Sequence, residues 1–366
     1  MKISDITPDY IRAISPYVPG KPVSDIAREF GLDEAQIIKL ASNENPLGPS
    51  PKVVAAITRA AGELTRYPDG SGYDLKAMLA ARYRVSADQI VLGNGSNDIL
   101  ELVAHAFLRP GKSAVFAQHS FAVYTLATQA FGAAGIEVPA REYGHDLAAM
   151  RAAIRDDTSV AWLANPNNPT GTWLPAAEIK AFIASVPSNV LVVLDEAYNE
   201  YLLPEQQADT ASWLAEYPHL ILSRTFSKAY GLAALRIGYG LMHADVAAML
   251  NRVRQPFNVN SLAQAAAIAA LEDTDYVRRS YALNRQGMQQ LEAGFRRLAL
   301  TFIPSHGNFI CVKVGNAAKM NLALLRRGVI VRPVGNYGMP EFLRVTIGTA
   351  KENERFLDAL AAVLQE

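Results

Sequence analysis

Between residues 88 and 240, short apolar runs alternate with longer stretches in which apolar residues return every three or four positions. The short runs, at 89–92, 114–116, 136–138, 159–163, 190–194 and 220–222, predict strands. Most are apolar on consecutive residues, the mark of a strand buried on both faces. The periodic stretches between them predict helices over 97–108, 121–131, 146–154 and 175–185. This alternation predicts an α/β unit with a mostly parallel sheet between two layers of helices. Ligands of such sheets settle at the carboxyl ends of the strands.

The pattern changes on either side. Residues 14–22 carry Pro16, Pro19 and Pro22 and predict extended chain. Residues 24–30 predict a short helix stopped by Gly31, and 51–61 a further helix. Beyond 245 helical stretches dominate: an alanine-rich one at 262–271, a long one at 274–299 and a closing one at 351–365, with strands at 308–314 and 342–347. This predicts a smaller α+β unit. The chain has 366 residues, and single cores stop growing near roughly 250–300. We therefore expect a large domain over 41–262 and a small one formed by 1–40 with 263–366.

Charge and cysteine usage narrow the class. Lys+Arg and Asp+Glu both number 35, so no net charge points to nucleic acid or to an anionic membrane. No apolar run approaches the roughly 20 residues that span a bilayer. A single cysteine, Cys311, excludes an internal disulfide and a cysteine metal cluster, and the six histidines show no metal-ligand spacing. No metal is expected. The first residues contain no apolar signal core, and the expectation is a cytoplasmic protein.

The chemistry gathers where the strands end. Gly93-Asn-Gly-Ser-Asn97 follows the first strand, Asn165-Pro-Asn-Asn-Pro-Thr-Gly171 the fourth, Asp195-Glu-Ala-Tyr198 the fifth, and Ser223-Arg-Thr-Phe-Ser-Lys228 the sixth. A lysine amine acts as a covalent catalyst toward carbonyl compounds such as pyridoxal phosphate. Hydroxyls beside an arginine fork hold phosphates. Lys228, with Thr225 and Ser227 before it and Arg236 after it, combines the two. The amides of Gly95, Ser96 and Asn97, delivered to a helix start, add an anion site. Asp195 would pair with a pyridine nitrogen, Asn168 and Tyr198 would reach a ring hydroxyl, and Phe121 would stack on the ring. Taken singly, Lys228 reads as a surface lysine and Asp195 as a cap; taken in this order, the set reads as one cofactor site.

Two motifs compete. Ala106-Phe-Leu-Arg-Pro-Gly-Lys-Ser113 approximates a phosphate-binding P-loop, and 190–196 would pass for its acidic partner strand. A P-loop needs a strand before it and a helix after it. Here the predicted order is reversed, so Pro110-Gly111 reads as a plain turn. Gly93-x-Gly95 opens like a dinucleotide fingerprint, but Asp98 stands where its third glycine belongs.

These residues carry a resemblance that covers nearly the whole chain. Asn165–Gly171, Asp195–Tyr198, Ser227-Lys228, Leu235-Arg-Ile-Gly238 and Arg344 resemble the fold-type I aminotransferases. Ser42-Asn-Glu-Asn-Pro-Leu-Gly48, Arg66-Tyr-Pro-Asp69, Gly93–Asn97 and Arg224–Gly231 are similar, within them, to the histidinol-phosphate aminotransferase family. The resemblance implies pyridoxal 5'-phosphate as cofactor, Lys228 as its attachment point and proton carrier, Asp195, Tyr198 and Asn168 around its ring, and Arg236 as phosphate clamp. It implies a homodimer in which Tyr67 reaches the neighbouring subunit's cofactor phosphate. Phe121 occupies the stacking position, often tyrosine in the family, and lacks the hydroxyl. Arg344, Arg332 and Tyr17, with Asn168, match the substrate end. The implied substrates are histidinol phosphate, glutamate and 2-oxoglutarate. An aromatic amino acid aminotransferase on the same scaffold shares every cofactor residue and stays open, as does a decarboxylase of a phosphorylated amino acid; a P-loop nucleotide-binding protein is the remote alternative.

Overall fold

The computed structural model describes residues 2–16 and 20–365. In chain order its helices and strands begin with α1 (Asp9–Arg12), α2 (Val23–Phe30), β1 (Ile38–Lys39), α3 (Pro51–Ala60) and α4 (Tyr73–Tyr83). There follow β2 (Ile90–Gly93), α5 (Ser96–Phe107), β3 (Ser113–Ala117), α6 (Ala122–Ala130), β4 (Ala134–Val138), α7 (Leu147–Ala152), β5 (Thr158–Ala164), α8 (Ala176–Ser185), β6 (Leu191–Asp195), β7 (Leu220–Thr225) and β8 (Gly238–Met242). The remainder is α9 (Ala244–Val253), α10 (Ser261–Glu272), α11 (Thr274–Arg297), β9 (Phe302–Ile303), β10 (Phe309–Lys313), α12 (Ala317–Leu325), β11 (Val329–Ile330), β12 (Arg332–Val334), β13 (Met339–Thr346) and α13 (Ala350–Leu364).

The seven-stranded sheet runs β2-β8-β7-β6-β5-β3-β4. Side chains alternate across it, as the two-residue period of a strand requires. Val160, Trp162, Val193 and Ile221 enter one core, with residues of α5, α6 and α9. Ala161, Leu163, Val192, Leu194 and Leu222 enter the other, with α3, α4, α8 and α10. Helix α10 thus packs with the sheet-bearing unit, although the sequence reading placed residues from 263 onward in the smaller one. Its alanines 263, 266 and 267 are buried in this core and let it lie close against α3.

Only β8 runs antiparallel within the sheet, against β2 and β7. The apolar pattern did not single it out as a strand, because Gly238 and Gly240 interrupt its run. The glycines have a packing reason. A Cβ on Gly238 would collide with the Ser96 amide and lie 2.8 Å from the Arg224 carbonyl oxygen. The amino end of α5 can approach β8 only where there is no side chain. Helix α4 has no counterpart among the elements expected from the apolar pattern.

The second unit is a four-stranded antiparallel sheet, β12-β13-β10-β9, packed on α11, α12 and α13. Strand β1 pairs in parallel with β11 and, with α2, ties residues 23–40 to this unit, whereas α1 lies against α6 of the larger one. It also delivers residues 41–45 to the seam between the units.

Candidate active site

A cleft of about 290 Å³ opens where the carboxyl ends of β5, β6 and β7 and the start of α5 face β12 and β13. Lys228, Asp195, Tyr198, Asn168, Ser96, Asn97, Phe121, Thr225, Ser227, Arg236, Arg332 and Arg344 all line it. Gly95 lies just outside the lining, as the N-cap of α5. Its φ of 88° is the left-handed region, and a side chain there would strike the Arg236 guanidinium. This glycine therefore lets the guanidinium close against the amino end of a twelve-residue helix, an anion-accepting arrangement. Thr225 and Ser227 complete it, joined by a 3.0 Å bond from the Ser227 amide to Thr225 Oγ1.

Asp195 ends β6 and is buried. Burial pushes its pKa up to about 6, against the opposing pull of the Tyr124 hydroxyl, the Ala197 amide and the Lys228 charge. Lys228 donates to the Ser42 carbonyl at 3.1 Å. Burial, then the neighbouring Arg344 guanidinium, pulls its pKa down to about 8. Its amine is therefore deprotonated and nucleophilic closer to neutrality than an ordinary lysine's. Tyr198 receives a hydrogen bond from Asn43 Nδ2 at 2.9 Å, and burial raises its pKa to about 12.

At the other end of the cleft, Arg344 and Arg332 are directly opposite on the paired strands β13 and β12. Arg344 donates to Asn168 Oδ1 at 2.6 Å and to the Ala41 carbonyl at 2.7 Å. Its Nε–H is buried and has no partner among the described residues.

One expected residue falls elsewhere. Tyr67 is 83% exposed, outside the cleft, with its ring stacked on Phe257 at 4.8 Å. Tyr17 lies outside the described residues. Conversely, Tyr124, Asn43, Ser42, Glu44 and Tyr337 line the cleft without having been singled out. Asn43 had a signal, since it belongs to the 42–48 segment that carried the family resemblance. Tyr124, an aromatic in an amphipathic helix, had none. The P-loop reading fails on geometry: 108–112 is the turn from α5 into β3. Among the described residues no cluster of His, Cys, Asp or Glu has the geometry to hold a metal.

A half-buried lysine at a sheet's carboxyl edge, with a carboxylate on the next strand and an arginine beside a helix start, suits pyridoxal phosphate, and the family model for class I and II aminotransferases matches residues 35–360. Over 357 residues the chain is 63% identical to histidinol-phosphate aminotransferase 1 of Thiobacillus denitrificans, covering 98% of this chain and 93% of that protein. It is 58% identical over 364 residues to histidinol-phosphate aminotransferase 1 of Dechloromonas aromatica, covering 100% of each. The crystal structure of the Sinorhizobium meliloti histidinol-phosphate aminotransferase in complex with pyridoxal-5'-phosphate superposes with a TM-score of 0.92 at 30% identity, covering 100% of this chain and 98% of that one. The chain belongs to the class I and II aminotransferases and, within them, to the histidinol-phosphate aminotransferase family.

Proposed function

We propose that this enzyme transfers an amino group between histidinol phosphate and 2-oxoglutarate, giving imidazole-acetol phosphate and glutamate, as a step of histidine biosynthesis. The observation that carries the substrate choice is the Arg332–Arg344 pair. A phosphate dianion or the distal carboxylate of glutamate suits a cleft lined by these two arginines, whereas phenylalanine brings one carboxylate and an apolar ring.

The donor set fits pyridoxal phosphate. Arg236, Thr225, Ser227 and the amides at the start of α5 suit its phosphate. Asp195, a carboxylate buried at the end of β6, suits a protonated ring nitrogen. When bound, the cofactor supplies an aldehyde that exchanges amino groups and a ring that withdraws electrons from the substrate carbon. Lys228 Nζ anchors that aldehyde, and once released it accepts the proton from the substrate carbon and returns it one atom away. Asp195 holds the ring-nitrogen proton in place during this transfer. Tyr198 and Asn168 orient the ring hydroxyl, and Phe121 covers one face and keeps water from it. Arg344 binds the substrate carboxylate through its buried Nε–H, which has no partner among the described residues, and its remaining Nη protons. Arg332, with Tyr17, completes the anion-binding end.

Two copies pair, and Tyr67 completes the neighbouring cofactor site; its exposure in the single chain supports this. The enzyme works in the cytoplasm, in keeping with its lone buried thiol. No helix among the described residues is long and apolar enough to cross a membrane.

The test is the visible spectrum of the pyridoxal-phosphate-loaded protein, titrated separately with histidinol phosphate and with phenylalanine. The expected result is bleaching by histidinol phosphate at far lower concentration. Equal or better response to phenylalanine transfers the assignment to an aromatic aminotransferase.

A further inference from the structure

Helix α6 supplies the cleft with more than Phe121. One turn on, Tyr124 is fully buried and donates from its hydroxyl to Asp195 Oδ2 at 3.0 Å. The other carboxylate oxygen accepts from the Ala197 amide at 3.2 Å. The two donors therefore hold Asp195 from both sides. Tyr124 is itself fixed. Its ring stacks on Trp162, centroids 5.5 Å apart and planes 2° from parallel, and Phe121 meets it edge-on. The Thr128 hydroxyl donates to the Tyr124 carbonyl at 2.7 Å and accepts from the Trp162 indole at 3.3 Å. Buried and held by these neighbours, the phenol keeps its donor on the carboxylate.

We propose that Tyr124 is a positioning residue for transamination: it acts through Asp195, clamping that carboxylate in the orientation and charge state that the cofactor's ring nitrogen requires. The inference rests on the cofactor reading of the cleft. The groups facing Asp195 are Lys228, Glu196, Tyr198 and Tyr124, and those facing the phenol are Asp195, Tyr198 and Tyr337. Of these, the Tyr124 hydroxyl is the side-chain donor that bonds Asp195 directly. A donated hydrogen bond favours the ionised carboxylate. Its loss raises the pKa of Asp195, so the carboxylate is protonated, and fails its partner, at a higher pH.

The experiment uses Tyr124→Phe, which deletes one oxygen and leaves the stacked ring. The pyridoxal-phosphate-loaded variant is followed by visible absorption from pH 5 to 9 without substrate, and then by kcat and KM for glutamate over the same range. The expected result is an acid-side spectral midpoint about 1 pH unit higher, and a kcat roughly 10-fold lower, as for one charge-assisted hydrogen bond, with KM changed less than about 2-fold. Thr128→Val is the control within the same packing layer: it lowers Tm and leaves the spectral midpoint unmoved. An unmoved midpoint in Tyr124→Phe, with normal cofactor binding, overturns the inference alone. The same displacement in Thr128→Val also overturns it, since general loosening then explains the change. Failure of the unmutated protein to take up pyridoxal phosphate overturns the cofactor reading, and this inference with it.

Discussion

The two ends of the cleft are built in opposite ways. The cofactor end comes from one sheet: Asp195 ends β6, Lys228 follows β7, Asn168 follows β5 and Ser96 follows β2. Strands hydrogen-bonded side by side fix the spacing of these residues, so each is placed by the backbone before any side-chain contact forms. The substrate end comes from separate parts of the chain. Arg332 and Arg344 belong to the second sheet, Asn43 follows β1, and Gly20 reaches in from the N-terminal segment. Their meeting depends on long-range side-chain bonds, such as that from Arg344 to the Ala41 carbonyl and that from Asn43 to Tyr198. A rigid end suits chemistry common to every substrate, and an end assembled across a seam suits the recognition of two different ones.

The comparison predicts that damage to the first end abolishes chemistry while leaving binding. Lys228→Ala should lower turnover by at least ~10³-fold, since it removes both anchor and proton carrier, yet still bind pyridoxal phosphate. Single-turnover rates and equilibrium titration measure the two separately; normal turnover in this variant breaks the assignment. The unmutated residue also sets a pH dependence. Its amine reacts only when deprotonated, and its pKa is lowered to about 8. Covalent uptake of pyridoxal phosphate by the apoprotein should therefore rise with pH and level off above about pH 8. A rise that continues toward pH 10 would show a lysine with an ordinary pKa.

Damage to the second end should do the reverse. Arg344→Lys keeps the charge but loses the planar fork and leaves Asn168 and the Ala41 carbonyl short of donors. KM for glutamate should rise roughly 100-fold, as when one partner of a buried charged pair is lost, with kcat changed much less. Steady-state kinetics decide: an equal fall in kcat at unchanged KM would mean that the two ends act as one.

The same contrast explains what could be read from the sequence. Residues at strand ends are legible because a buried apolar run announces where it stops, and Asp195 stands directly past such a stop and Lys228 six residues past another. The meeting of Arg344 with Asn168, 176 positions apart, follows from no local pattern; the family resemblance marked both residues, and the bond between them emerged only from the fold. Tyr124 was illegible because an aromatic one turn after Phe121 satisfies a helix period equally well as core. Strand β8 was hidden by Gly238 and Gly240, where close backbone approach overrides strand propensity. The placement of α10 turned on small side chains that suit either unit and gave no hint of their partner.

Tyr67 belongs to neither end by position, and it gives the smallest predicted effect. It precedes Pro68, which holds it extended, and its ring lies against Phe257 at the surface, where Tyr73 and Leu64 are also exposed. If it serves the partner's cofactor phosphate, that end of the cleft is rigid within one chain but complete only in two. Tyr67→Phe keeps the stacking and removes one hydrogen-bond donor, so cofactor affinity should fall by roughly five- to tenfold, with kcat at saturating cofactor little changed. Diluting the unmutated enzyme below its dimer dissociation constant should weaken cofactor binding in the same sense. In the variant, dilution should add less, because the contact that dimerisation supplies is already gone. Affinity in the variant that equals the unmutated value at every protein concentration would leave Tyr67 a surface aromatic, and would confine the cofactor end to a single sheet of a single chain.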